Sequence, residues 1–131
     1  MRGSFSILLT GVEGFIGKSF KAFFQSDKRF QVFAPTKSEL DLREHGQVKN
    51  YIDRIKPGYI LHLATSEAID KKYEETVCED NLRMFFNLHR VCKPETKLFN
   101  FTSGSDFSRG AWREGMEEEY FDSDVPRDPH S

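Results

Sequence analysis

The fold of this chain is indicated most clearly by the segment Ile7-Leu8-Leu9-Thr10-Gly11-Val12-Glu13-Gly14-Phe15-Ile16-Gly17. Its apolar beginning, Phe5 to Leu9, predicts a buried strand. Gly11 permits a sharp turn at the strand end, Gly14 leaves the backbone open to a pyrophosphate, and Gly17 lets the following helix pack closely on the strand. The N-terminus of that helix would offer free N–H groups and the positive end of its dipole to an anion.

This strand–turn–helix pattern predicts a dinucleotide site, although its spacing, Thr-Gly-x-x-Gly-x-x-Gly, differs from the better-known G-x-G-x-x-G. Two alternatives stay open. The glycines can form a turn that binds no ligand. Gly17-Lys18-Ser19 also matches the end of a P-loop, which would indicate an ATP- or GTP-using enzyme, but the first glycine of that motif would then fall at Val12.

Size and charge narrow the classes of protein. The chain has 131 residues and a net charge of −2, with both signs mixed along it. It therefore forms one domain at most, and nothing indicates a nucleic-acid or anionic-membrane partner. Ile7 to Leu9 runs straight into glycines, unlike a signal peptide, and no apolar run approaches membrane-spanning length.

The cysteines point to a reducing compartment. Cys78 and Cys92 fall on one predicted helix, where their separation is about 21 Å at 1.5 Å per residue. A disulfide needs Cα atoms within about 7 Å, so both are expected to be free thiols in a cytoplasmic protein. The four histidines do not have metal-ligand spacing, so no metal site is expected.

Alternating strand and helix patterns predict an α/β fold. We expect a Rossmann-like, doubly wound parallel sheet in three α/β/α layers, with strand order 3-2-1-4-5 and truncated after strand five. The predicted strands are Phe5 to Thr10, Phe30 to Ala34, a short one within Glu39 to Leu42, Tyr59 to Ala64, and Lys97 to Thr102. The predicted helices are Phe15 to Gln25, one ending at Lys56, and Glu74 to Cys92. In the first helix, the stripe expected to pack on the sheet is Phe15, Ile16, Phe20, Phe23 and Phe24.

The end of strand two indicates which dinucleotide is preferred. An acidic residue there would bind the ribose hydroxyls and repel a 2′-phosphate. The chain has Pro35-Thr36-Lys37 instead, with no acid before Glu39. A cation and a hydroxyl suit the 2′-phosphate, so Lys37 favours NADP over NAD, unless it is an ordinary exposed lysine.

Two motifs together resemble the extended short-chain dehydrogenase/reductase family. One is the glycine motif with Phe15 and Ile16 inside it, and the other is Ile60-Leu61-His62-Leu63-Ala64, similar to the family's hydrophobic-His-Leu-Ala strand. The resemblance implies an NAD(P)-dependent epimerase, dehydratase or reductase, an isomerase or oxidoreductase that transfers hydride at a sugar carbon of a nucleotide-sugar substrate. His62 itself is expected to be a hydrogen-bonded core residue.

The resemblance also implies site residues. Phe15 and Ile16 would belong to the cofactor site with the three glycines, and Asp41 and Leu42 would lie against the adenine. Asp41 is equally well explained as a cap of the next helix. The family would also place four later residues at the site: Ala64 and Thr65 beside the cofactor, Asn81 as a brace of the active-site backbone (or a surface residue), and Ser103 as the catalytic serine (or a turn residue).

The family's catalytic Tyr-x-x-x-Lys is absent. We expect residues 1–104 to be the NAD(P)-binding domain, and residues 105–131 to be a polar loop, with a short helix from Arg113 to Tyr120, leading to a missing catalytic helix. The chain is therefore expected to be inactive alone, and the open edge of strand five favours a homodimer. The alternative is a non-catalytic NAD(P)-sensing or binding module of the same fold.

Overall fold

The computed structural model describes residues 4–66, 76–102, 113–117 and 119. The chain divides into two compact units, Met1–Asn100 and Phe101–Ser131. All the strands and helices described below belong to the first unit. No helix in the described ranges is both long and apolar enough to span a bilayer.

Strands and helices alternate along the first unit. They are β1 (Phe5–Thr10), α1 (Phe15–Gln25), β2 (Phe30–Phe33), α2 (His45–Ile55), β3 (Tyr59–His62), α3 (Thr76–Val91) and β4 (Lys97–Asn100). The sheet is parallel throughout, with the order β2-β1-β3-β4. The register places Leu8 beside Ile60 and Thr10 beside His62. The predicted doubly wound α/β architecture is confirmed.

The helices cover both faces of this sheet. From β1 the chain moves to one edge through α1 and then to the other edge through α2 and α3. Since such crossovers are right-handed, α1 lies on one face and α2 and α3 lie on the opposite face. The main core contains side chains of α2 and α3 and none of α1. Its buried apolar residues are Leu8, Leu40, Leu42, Val48, Ile52, Ile60, Met84 and Leu88.

The short strand predicted within Glu39 to Leu42 is wrong. This segment is a turn, in which the N–H of Leu40 donates to the carbonyl of Thr36 at 3.0 Å. Leu40 and Leu42 are nevertheless both buried in the core cluster. Leu40 and Leu42 are two buried residues of a loop, separated by one position. In sequence, this spacing cannot be distinguished from the period of a strand.

The stripe predicted for α1 is also wrong in part. Phe15 is 91% exposed, Phe23 65% and Ile16 52%. The helix instead packs through Gly17, which is buried, and through Phe24, whose ring centroid lies 5.0 Å from that of Phe30. At 3.6 residues per turn, Ile16 and Phe23 lie about a quarter of a turn from this contact face, and Phe15 lies opposite it.

Two helix ends differ in how well the sequence predicted them. Lys56 adopts a left-handed conformation with φ 45° and ends α2 before Pro57, close to the predicted position. By contrast, the helix predicted from Arg113 to Tyr120 is wrong over residues 113–117, which contain a turn at Glu114 and Gly115 where Gly115 has φ 70°, whereas Glu119 has a 3-10 helical conformation.

Candidate functional site

The glycine turn after β1 is tightly built. Gly11 has φ +68°, and a Cβ there would lie 2.6 Å from the backbone N of Ala64. A Cβ on Gly17 would overlap the carbonyl oxygen of Gly11. Any side chain at these two positions would therefore push β3 or α1 away from the turn.

Gly14 differs from the other two glycines because the fold does not require it. Its φ of −77° suits any residue, and the nearest atom to an added Cβ is the Gly11 carbonyl oxygen at 3.4 Å. Gly14 is the N-cap of α1, whose first turn carries no acidic side chain. The missing side chain leaves the N–H groups at the start of this helix accessible to an anion.

A cleft opens at the carboxyl ends of β1, β2 and β3, beside this helix start. The structure brings seven of the predicted site residues into its lining: Gly11, Gly14, Lys37, Asp41, Leu42, Ala64 and Thr65. In doubly wound sheets, ligands bind at this end, where the chain direction switches between edges. The predicted site is therefore one continuous surface.

The remaining predicted residues lie outside the lining. Phe15 and Ile16 point away into solvent at the start of α1, and Gly17 is buried beneath the turn. Asn81 does not line the cleft itself but contacts a residue that does: its Oδ1 accepts a hydrogen bond from the N–H of Ser66 at 2.7 Å. The bracing role of Asn81 stays a prediction, and this hydrogen bond is compatible with it. Ser103 lies outside the described residues.

Thr10 ties the two central strands together beneath the cleft. Its Oγ1 accepts hydrogen bonds from the N–H groups of Leu63 at 3.2 Å and Ala64 at 3.3 Å, and lies 2.9 Å from Nδ1 of His62. Both Thr10 and His62 are buried, and burial lowers the pKa of His62 to about 4. His62 is thus a hydrogen-bonded core residue, as predicted.

Asp41 makes an ion pair rather than a helix cap. Arg43 donates to both of its carboxylate oxygens, at 3.0 and 2.8 Å. These hydrogen bonds outweigh partial burial and hold the pKa of Asp41 at about 2. The N-cap of α2 is Glu44, without a side-chain cap hydrogen bond, so the capping alternative for Asp41 is wrong. Arg43 also reaches Asp80 of α3 at 3.5 Å.

Sequence reasoning missed Asn87. Its side chain is buried on α3, and Nδ2 donates to the carbonyls of Leu42 at 2.9 Å and Arg43 at 3.0 Å. The signal was present in the sequence, because Asn87 stands three residues after Met84 and one before Leu88, on the apolar face. α3 thus holds both walls of the cleft, through Asn81 on one side and Asn87 on the other.

Sequence reasoning also missed Glu13. Its Oε2 accepts from the backbone N–H of Lys37 at 3.0 Å, and both residues line the cleft. An acid thus stands beside the end of β2, although none follows that strand directly in sequence.

Neither a metal site nor a P-loop is supported by these positions. Within the described ranges, no three His, Cys, Asp or Glu side chains are grouped to hold a metal ion. Lys18, the lysine of the P-loop alternative, is exposed on α1 and is not part of the cleft lining.

Comparison with known proteins agrees with this geometry. Residues 7–130 match the model of the NAD dependent epimerase/dehydratase family. Over 58 residues the chain is 40% identical to a GDP-L-colitose synthase of Yersinia pseudotuberculosis. The matched segment covers 44% of this chain and 18% of that protein. The family resemblance drawn from the glycine motif is thereby confirmed.

Solved structures share the fold. A GDP-L-fucose synthetase from Naegleria fowleri superposes with a TM-score of 0.81 at 21% identity, covering 96% of this chain and 39% of that one. A GDP-mannoheptose C4 reductase from Campylobacter jejuni with NADP bound superposes with a TM-score of 0.80 at 21% identity, covering 95% of this chain and 41% of that one. The chain thus spans well under half the length of these relatives.

Proposed function

The chain belongs to the NAD dependent epimerase/dehydratase family, and we propose that its cleft binds an NAD(P) dinucleotide. The observation that carries this is Gly14. Its backbone could accept any residue, yet the absent side chain keeps the start of α1 open to the cleft. An uncovered helix N-terminus binds anions, and the diphosphate of a dinucleotide is the anion that this family's cofactor would present.

Each wall of the cleft then has a part in binding. The N–H groups at the start of α1 bind the diphosphate, Asp41 and Leu42 hold the adenine, and Ala64 and Thr65 border the nicotinamide half. Asn81 is a positioning residue that fixes the backbone of Ser66. Lys37 in the cleft lining supplies a cation for a 2′-phosphate, which favours NADP.

We further propose that a full-length protein containing this chain transfers hydride at a sugar carbon of a nucleotide sugar. The names of the relatives support this, since they are GDP-sugar synthases and reductases. The bound dinucleotide supplies or accepts the hydride. Ser103 is proposed to hydrogen-bond the substrate oxygen at the reacting carbon.

Titration calorimetry of the chain with NADP and NAD tests the binding proposal. Gly14→Val should abolish binding without unfolding, because the added atoms enter the cleft. Gly46→Ala is the matched control, since a Cβ at Gly46 on α2 meets nothing within 4 Å. Equal affinity of Gly14→Val and the unmodified chain would refute the proposal.

A non-catalytic NAD(P)-binding module is the second candidate. It applies if the natural protein carries no Tyr-x-x-x-Lys, the motif that supplies the acid–base tyrosine in the family and that these 131 residues do not contain. Incubation of the chain with NADPH and a GDP-4-keto sugar tests the module, because turnover would exclude it. Dinucleotide binding without turnover is expected of both candidates, and the coding sequence after codon 131 then separates them: a downstream Tyr-x-x-x-Lys would identify the catalytic protein.

We also propose a homodimer. β4 is paired with β3 on one side, and no other described strand pairs with its second side. An open strand edge of this kind invites pairing with another chain. Sedimentation velocity at rising protein concentration tests this, and a monomer at all concentrations would contradict it.

A further inference from the structure

The carboxylate of Glu13 stands where a dinucleotide-binding fold distinguishes NAD from NADP. Glu13 belongs to the turn after β1, yet it reaches Lys37 beyond the end of β2, 24 residues later in the chain. The hydrogen bond between Oε2 of Glu13 and the N–H of Lys37, 3.0 Å long, fixes the carboxylate at that strand end. Both residues line the cleft.

We propose that Glu13 is a specificity-determining residue that disfavours the 2′-phosphate of NADP relative to the ribose hydroxyls of NAD. The inference rests on the proposed dinucleotide binding. In dinucleotide-binding folds, an acid near the end of the second strand hydrogen-bonds the ribose hydroxyls and opposes a phosphate. Glu13 provides this acid from a different loop.

Two features of the contact between Glu13 and Lys37 strengthen the discrimination against the 2′-phosphate. The N–H of Lys37 is a donor that a phosphate could use, and Glu13 already occupies it. Glu13 also forms no ion pair among the residues that the structure describes, although Lys18 and Lys21 line the surface groove on its other side.

The two cations that line the cleft, Lys37 and Arg43, both act on Asp41. Arg43 is engaged by Asp41 and Asp80. The positive charge of Lys37 acts on Asp41, where it contributes to the lowered pKa of that carboxyl group. The adenosine end of the cleft therefore contains two cations shared with acids, and Glu13 adds one further negative charge. Lys37 and Glu13 have opposite effects on NADP.

Calorimetric titration of the full chain and its Glu13→Gln variant with NAD and NADP tests this. Glutamine keeps an oxygen that accepts from Lys37 but removes the charge. We expect NADP affinity to rise about tenfold, as one unit charge removed a few Å from a phosphate permits, with NAD affinity unchanged or weaker. Glu13→Ala, which also frees the N–H of Lys37, should raise NADP affinity at least as much.

Glu44→Gln is the matched control, because Glu44 is an exposed carboxylate at the start of α2 outside the cleft lining. It should leave the ratio of the two affinities unchanged. Parallel changes in both affinities on Glu13→Gln, or no rise for NADP, would overturn the role of Glu13 alone. If neither dinucleotide binds to any of the proteins, the proposed function itself fails, and this inference fails with it.

Discussion

The hydroxyl of Thr10 donates its hydrogen to Nδ1 of His62, 2.9 Å away, across the ends of β1 and β3. The direction follows because the same oxygen already accepts hydrogen bonds from the backbone N–H groups of Leu63 and Ala64. A hydroxyl oxygen has two lone pairs and one hydrogen, so with both lone pairs engaged it can only donate to Nδ1. His62 is therefore the neutral tautomer protonated on Nε2. This hydrogen-bond network fixes the floor of the cleft.

Thr10→Val should destabilise the fold by about 2 kcal/mol or more, because it leaves two backbone donors and one imidazole nitrogen without a partner. The free energy of unfolding from urea titration measures this. Thr10→Ser is the control: it keeps the hydroxyl and should cost about 1 kcal/mol for the lost methyl group. Equal losses in both variants would show that the hydroxyl is not important.

The stability of the chain should fall as the pH drops through the range in which an unfolded histidine becomes charged. His62 has a folded pKa of about 4, against an ordinary value of 6.5, because it is buried. The unfolded state therefore binds the proton first, and the stabilisation present above pH 6.5 is lost towards pH 4. From pH 7.5 to 5 the expected loss is about 2 kcal/mol.

Urea titrations at these two pH values measure that loss. His62→Gln should remove this part of the pH dependence, whereas His45→Gln, on the exposed surface of α2, should keep it. The same pH dependence in His62→Gln and the unmodified chain would contradict the assignment to His62.

Asn87→Ala should lower the free energy of unfolding by about 2 kcal/mol, since two carbonyls lose a buried donor. Because Leu42 lines the cleft and is one of the two residues held by Asn87, dinucleotide affinity should fall as well. Asn50→Ala, at an exposed position of α2, should stay within about 0.5 kcal/mol. Normal stability of Asn87→Ala would show that the two hydrogen bonds contribute little.

The glycine motif should separate into folding and binding parts. Gly17→Ala should destabilise the fold strongly, because its Cβ would overlap the Gly11 carbonyl oxygen. Gly14→Ala should cost less than about 1 kcal/mol, since glycine is only modestly favoured at an N-cap. Thermal melting of both variants measures the difference. A similar loss in both would mean that Gly14 is also required by the fold.

Local patterns were sufficient to predict most of the fold. The glycine turn, the predicted bounds of α1 and the order of the four strands depend on neighbouring residues and on general rules of chain connection. The face of α1 that packs on the rest of the fold could not be predicted in the same way. Gly17 makes the closest contact with the turn, and it has no apolar side chain by which the packed face could be identified.

The site was predicted less completely, because some of its contacts join distant parts of the chain. Glu13 and Lys37 meet only after the turn and β2 are placed in the sheet. In sequence, Asp41 could be either a cap of α2 or a cleft residue, and the cap is excluded only once Glu44 is seen to be the N-cap and Arg43 is seen to bind the Asp41 carboxylate. Asn87 was overlooked because an asparagine within a helix is more often exposed to solvent.

Dinucleotide binding at the glycine turn should be visible in the amide NMR spectrum of the labelled chain. On addition of NADP, we expect shifts in Gly11 to Ile16, in Asp41 and Leu42, and in Ala64 and Thr65, with little change in the last turn of α2. If saturating NADP and NAD leave the amides of Gly11 to Ile16 unmoved, no dinucleotide binds at this turn.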